Sequence, residues 1–168
     1  MANPKIKIVV KNYGIMEAEL YPEMAPKTVE NFVKLAKEKF FDGLIFHRVI
    51  KGFMIQGGGY TEDMTDKDTA SIKGEFAANG FMQNTLKHTR GVLSMARTSD
   101  PNSASSQFFV MHKDAPHLDA QYAGFGKLTD GFDVLDAIAT TPTGSYGWYM
   151  QDVPRTAIVI EKIEVVSK

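Results

Sequence analysis

Apolar residues in this chain come in short runs, each ended by a glycine, a proline or a polar turn. Beyond Gly43 the runs are 44–50, 53–57, 92–97, 107–111 and 122–128, all of strand length rather than helix length. The opening has the same character. Ile6, Ile8 and Val10 alternate with Lys5 and Lys7, Asn12-Tyr13-Gly14 supplies turn chemistry, and Ile15 to Leu20 returns as the second arm of a hairpin. Two segments change period. Pro26 suits a first helical position, and Val29, Phe32, Val33, Ala36 and Phe40 then share one helical face, with Gly43 as the stop. A second helix is expected over 131–139, with Asp130 as its cap, Phe132, Leu135 and Ile138 facing inward, and Pro142 beyond its end. Residues 155–166 close the chain as a strand whose apolar parity shifts near Glu161-Lys162, the mark of a bulge. No regular strand–helix alternation exists, so a doubly wound sheet is excluded. The expected fold is mainly β, one domain over 1–168: a closed eight-stranded antiparallel β-barrel, which leaves no exposed edge, capped by two α-helices.

Charge and composition narrow the function. Nineteen Lys and Arg face twenty Asp and Glu, so no basic stripe marks a nucleic-acid binder. No apolar stretch is long enough to cross a membrane or to serve as a signal-peptide core, so no membrane partner and a cytoplasmic location are expected. There is no cysteine, hence no disulfide and no thiolate chemistry. The four histidines, His47, His88, His112 and His117, form no metal-ligand spacing, so no metal site is expected. Serines are present without a nucleophile-elbow motif. Gly57-Gly58-Gly59 lacks the lysine and hydroxyl ending of a phosphate loop and reads as the exit of a strand. Residues 57–71 are the polar exception along the chain and read as one long surface loop.

Two strands carry an uncommon combination. In Phe46-His47-Arg48-Val49-Ile50-Lys51-Gly52-Phe53-Met54-Ile55-Gln56, strand parity puts Arg48 on one face with Leu44, Phe46 and Ile50, and puts Met54 beside Gln56. In Ser106-Gln107-Phe108-Phe109-Val110, Gln107 and Phe109 share a face. If the strands are neighbours, they build an apolar slot with two amides and a guanidinium, the composition of a small ligand site. The same residues also read as plain core, with Arg48 in a surface salt bridge.

With these runs, the sequence closely resembles the cyclophilin family of peptidyl-prolyl cis-trans isomerases. The matching stretches are Phe46 to Gly58, His88-Thr89-x-Gly91-Val92-Leu93-Ser94-Met95-Ala96, Ser106-Gln107-Phe108-Phe109 and Phe125-Gly126-Lys127. Pro26 to Phe32 is similar to the family's first helix, and the likeness runs in order along nearly the whole chain. The resemblance implies rotation of X-Pro bonds with no cofactor and no covalent intermediate, acting on proline-containing peptides and on unfolded or folded client proteins. It implies that Arg48 is catalytic and that Phe53, Met54, Phe109 and Leu118 line a proline pocket. Gln56 and Gln107 would hydrogen-bond near the reacting peptide, and the backbone at Ala96 and Arg97 would hold the residue before proline. His117 stands where many eukaryotic members carry Trp, and Tyr122 where they carry His. Because that Trp supports cyclosporin binding, weakened cyclosporin binding is expected. Arg97-Thr98 replaces a common Asn-Ala pair, the segment 99–105 is one residue longer, and the loop 59–70 does not align with the family's. A monomer is expected. The alternative to an enzyme is a proline-peptide receptor or chaperone-like scaffold in which isomerisation is incidental.

Overall fold

The computed structural model describes residues 3–147 and 150–167. In chain order its elements are β1 (Lys5–Val10), β2 (Gly14–Leu20), α1 (Pro26–Lys37), β3 (Arg48–Ile50), β4 (Met54–Gly57), β5 (Val92–Met95), β6 (Phe108–Met111), β7 (Gly124–Asp130), α2 (Phe132–Ala139), β8 (Thr143–Tyr146), β9 (Met150–Pro154) and β10 (Ile160–Ser167). Eight strands form one antiparallel sheet in the order β10-β1-β2-β7-β5-β6-β4-β3, and β8 and β9 form a separate hairpin. Among the described residues no helix is long and apolar enough to cross a membrane.

The barrel expectation holds in part. The fold is mainly β with two α-helices, but no ladder joins the terminal strands β3 and β10. The chain just ahead of each strand bends the sheet round instead. Ile45 bridges Val159, Gly43 N–H donates to the Ile160 carbonyl at 2.9 Å, and Ile160 N–H donates to the Leu44 carbonyl at 2.7 Å.

The alternation in β1 is realised: Ile6, Ile8 and Val10 are buried and Lys5 is exposed. The bulge in the last strand is real, since Val9 pairs with Lys162 and Val10 with Ile160, skipping Glu161. One aromatic group fills the interior. Phe32 of α1 lies 4.9 Å from Phe41, 5.3 Å from Phe108 and 5.1 Å from Phe125 between ring centroids, a spacing at which aromatic pairs attract beyond simple area burial.

Several local expectations fail for identifiable reasons. α1 stops at Lys37, and Leu35 takes the core position expected of Val33, which is only half-buried. Asp130 does not cap α2. It pairs with Glu17 as the last residue of β7, and Gly131 occupies the cap position with φ 86°. Only glycine fits there, because a Cβ would collide with the Ile15 carbonyl and lie 2.7 Å from the Met16 Cα. The run 44–50 is not one strand. β3 begins only at Arg48, so Phe46 faces the main core while Arg48 is exposed, and the parity that joined them does not apply. Residues 57–71 are tied down rather than loose: Tyr60 bridges Asp66, Lys67 N–H donates to the Gly59 carbonyl at 2.8 Å, and Lys67 Nζ reaches the Phe40 carbonyl at 2.8 Å.

Candidate active site

A single row of register partners crosses four strands. Arg48 of β3 pairs with Gln56 of β4, Gln56 with Phe109 of β6, and Phe109 with Ser94 of β5. Residues in register on one side of a sheet stand about 5 Å apart, so the ladder itself sets a guanidinium, an amide and a phenyl ring side by side. Arg48, Gln56 and Phe109 are therefore fixed by backbone hydrogen bonding between strands, whereas Phe53, Ala96, Arg97, Leu118 and Tyr122 come from turns and connecting segments.

Around this row a cleft of about 120 Å³ is lined by Arg48, Phe53, Met54, Gln56, Ala96, Arg97, Phe109, Leu118 and Tyr122. Its floor belongs to a second apolar cluster, separate from the main core, that contains Met54, Val92, Phe109, Met111, Ala115 and Leu118. Leu118 arrives on a short 3-10 turn, Pro116–Leu118. Tyr122 meets Phe109 edge-on at 5.8 Å, which fixes the ring plane. Two of the expected residues touch the cleft's walls rather than line it. His117 stacks on Phe53 at 5.8 Å, and Gln107 accepts a 2.9 Å hydrogen bond from Gln56 Nε2. The glycine run explains the position of Gln107. A Cβ on Gly58 would stand 2.9 Å from the Ser106 carbonyl, and one on Gly59 would overlap the Gln107 side chain. The run permits close strand approach and makes no phosphate loop.

Arg48 is exposed and makes no hydrogen bond or ion pair among the described residues. Behind it, His47 is buried, its ring 4.6 Å from that of Tyr60, and its pKa falls to about 4, through loss of solvation first and the Arg48 charge second. The imidazole is thus neutral and leaves the cationic role to Arg48.

Sequence reasoning missed a buried relay under the floor. His88 Nε2 shares a 2.8 Å hydrogen bond with Ser94 Oγ, and Asp119 meets both His88 Nδ1 at 3.2 Å and the His88 N–H at 2.6 Å. The His88 ring lies nearly parallel to Phe109 at 6.1 Å. These are the residue types of a nucleophilic triad, yet Ser94 has no exposure and lies behind the cleft wall, so no substrate can reach it. Burial lowers the His88 pKa, against a smaller upward pull from Asp119. The relay supports Phe109. Its trace in the sequence is that His88 and Ser94 fall in one of the matching stretches, six residues apart. Among the described residues no group of three or more His, Asp or Glu could hold a metal.

A larger hollow, of about 1000 Å³, lies between α1 and the chain ends and is lined by Pro4, Pro22, Pro26, Val29 and Val33 among others. Size does not assign chemistry. That hollow lacks an uncommitted cation beside an apolar floor, and the smaller cleft has one.

A mainly antiparallel sheet with two helices, carrying an arginine on the rim of an aromatic-lined cleft, is the class of β-fold that these residues build. The comparisons agree with that class. The profile of the cyclophilin type peptidyl-prolyl cis-trans isomerase/CLD family matches residues 5–165. A peptidyl-prolyl cis-trans isomerase of Acinetobacter baylyi is 46% identical, covering 99% of this chain and 88% of its own length. Peptidyl-prolyl cis-trans isomerase B of Escherichia coli is 42% identical over 92% of this chain and 94% of its own. Among solved structures, a cyclophilin type isomerase of Cryptosporidium parvum in the presence of the dipeptide Ala-Pro superposes with a TM-score of 0.78 at 33% identity, covering 98% of this chain and 99% of that one. The chain belongs to the cyclophilin-type peptidyl-prolyl cis-trans isomerases, a family of isomerase enzymes.

Proposed function

We propose that this chain, working as a single-domain monomer in the cytoplasm, rotates X-Pro peptide bonds in unfolded and folded client proteins, with Arg48 as its catalytic residue. The planar amide resists rotation by about 18–20 kcal/mol because its C–N bond has double-bond character. Twisting by a quarter turn ends the conjugation and returns a basic lone pair to the prolyl nitrogen. A guanidinium N–H aimed at that nitrogen binds the twisted form more strongly than the planar one, and only such differential binding accelerates rotation. Arginine suits the task because it stays charged and its donor fork is rigid. Phe53, Met54, Phe109 and Leu118 hold the pyrrolidine ring still while the preceding carbonyl swings. Gln56 and Gln107, already bonded to each other, offer hydrogen bonds to the swinging peptide, and the backbone at Ala96 and Arg97 holds the residue before proline. No bond is made or broken, so the chain needs no further chemical group for this step.

The observation that carries the reading is the state of Arg48: a cation on the rim of an apolar cleft, paired with no carboxylate among the described residues. A salt-bridge arginine would have spent its donors. The test is a protease-coupled assay on a short X-Pro peptide with wild type and Arg48→Ala. The variant should keep its circular dichroism spectrum and lose at least about tenfold in kcat/KM, a floor set below the roughly hundredfold to thousandfold cost of removing a donor from an oxyanion hole. Near-normal activity would remove Arg48 from the role. A wild type that binds the peptide without accelerating it would mark a proline-peptide receptor instead. His117, stacked on Phe53, offers an imidazole where an indole N–H supports cyclosporin binding, so we further propose that cyclosporin inhibits this protein weakly.

A further inference from the structure

The cleft holds a second guanidinium, built in a different way. Arg97 lies between two rings, its guanidinium carbon 4.8 Å from the centroid of Phe76 and 4.7 Å from that of Tyr122. Arg97 Nη1 donates to the Thr98 carbonyl at 2.9 Å and Nη2 to the Gln121 carbonyl at 2.7 Å. Nε is buried and unpartnered. A guanidinium has five N–H donors, so one on each Nη is still uncommitted in a group that lines the cleft. The two rings and two carbonyls hold the side chain in one conformation, so little rotamer entropy is left to lose when a ligand binds.

The charge around it is one-sided. Arg48 and Arg97 both line the cleft, and no Asp or Glu does. Asp119, the carboxylate on the neighbouring turn, is engaged by His88. Glu75, next to Phe76, is turned to the start of α1, where it accepts from Thr28. The lining of the cleft is therefore positive, with a carboxylate on the Arg48 side, Asp152, in a neighbouring hollow, although the whole chain carries a formal charge of −1. A positive cleft with low-dielectric walls attracts anionic ligands and repels cationic ones.

We propose that Arg97 is a specificity-determining residue that selects acidic side chains next to the proline, making Glu-Pro and Asp-Pro segments the preferred substrates. The inference rests on the isomerase reading above and gives its site a substrate class. The carboxylate meets the free Nη hydrogens of Arg97 on the side where the residue before proline lies, and Arg48 remains free for the prolyl nitrogen. A lysine in the same place faces two like charges.

The experiment compares the peptides Ala-X-Pro-Phe with X as Glu, Gln, Ala and Lys, together with Ala-Ala-Pro-Glu, in the isomerase assay at 20 mM and 500 mM NaCl. Wild type should prefer Glu over its neutral isostere Gln by about twofold to fivefold in kcat/KM at low salt, as expected of a half-exposed ion pair. Most of the difference should appear in KM, and salt should shrink it. Glu after the proline should gain less than Glu before it. In Arg97→Gln the Glu-to-Gln ratio should fall toward one, whereas Arg97→Lys should keep part of it. Equal rates for Glu and Gln peptides in wild type overturn the proposal, as does an unchanged ratio in Arg97→Gln. The wild-type peptide series decides the matter even if Arg97→Gln folds poorly. Absence of isomerisation with every peptide would instead refute the isomerase reading, so the two failures are distinct.

Discussion

Replacing Glu75 by Ala should destabilise the protein strongly, because this buried carboxylate caps α1 from a distant part of the chain. α1 starts at Pro26 with Ala25 at its cap position, so no local side chain satisfies the first-turn N–H groups. Glu75, forty-seven residues away along the chain, fills that gap. Its carboxylate accepts the Thr28 N–H at 2.7 Å, the Thr28 hydroxyl at 2.7 Å and the Lys27 N–H at 3.2 Å, and it is only 3% exposed. Each hydrogen bond to a charged group contributes about 1.5–3 kcal/mol, and an anion at a helix start adds up to about 1 kcal/mol. Relief of the buried charge offsets part of this, so Glu75→Ala should cost about 3–4 kcal/mol net, a large single-site effect of the kind seen when a buried hydrogen-bond network is broken. For a chain of this length that is roughly 10 °C in Tm. Glu75→Gln keeps an acceptor for Thr28 and should cost about half as much. Urea unfolding followed by circular dichroism at pH 7 measures both. An Ala variant within 1 kcal/mol of wild type, or a Gln variant as damaged as Ala, would refute the reasoning. Because Phe76 follows directly and packs on Arg97, the Ala variant should also blunt discrimination among X-Pro peptides.

Acid should weaken the fold through His47. Its folded pKa, about 4, lies below the ordinary 6.5, so the unfolded chain takes the proton first. The stability contributed by neutral His47 is complete above about pH 7 and is lost as pH falls from 6.5 toward 4, by roughly 3 kcal/mol at most. His47→Phe should flatten that part of a stability-against-pH curve. Gly59→Ala should push the Gln107 side chain off Gln56 and lower kcat/KM by about threefold, the worth of one hydrogen bond, with little change in urea midpoint. Phe109→Ala empties a buried phenyl site between Tyr122 and His88, so unfolding should become about 3 kcal/mol easier and KM for X-Pro peptides should rise.

Much of the site was readable before any coordinates. Strand alternation put Met54 with Gln56 and Gln107 with Phe109, and those pairs do share faces, because side-chain direction in a strand is a local property with period two. The same rule held for Arg48 with Ile50 but failed for Arg48 with Leu44 and Phe46. It assumed that 44–50 was one regular strand, and the chain changes direction at Phe46-His47 where its neighbours are supplied by residues 158–160. The cap of α2 failed likewise. An Asp before a helix signals a cap only if the preceding strand has already ended, and here β7 runs through Asp130.

What the residues dictated along the chain was therefore the list of strands and helices, the buried face of most of them, and, through the resemblance of whole motifs, the family. What waited for the fold was every relation between distant segments: Arg48, Gln56, Phe109 and Ser94 in one row, His88 bracing Phe109 from behind, and Arg97 between Phe76 and Tyr122. The division has a physical cause. Periodicity and turn chemistry act over a few bonds and are written in neighbouring residues, whereas charge pairing, ring stacking and desolvation depend on distances through space that exist only after the sheet has curled.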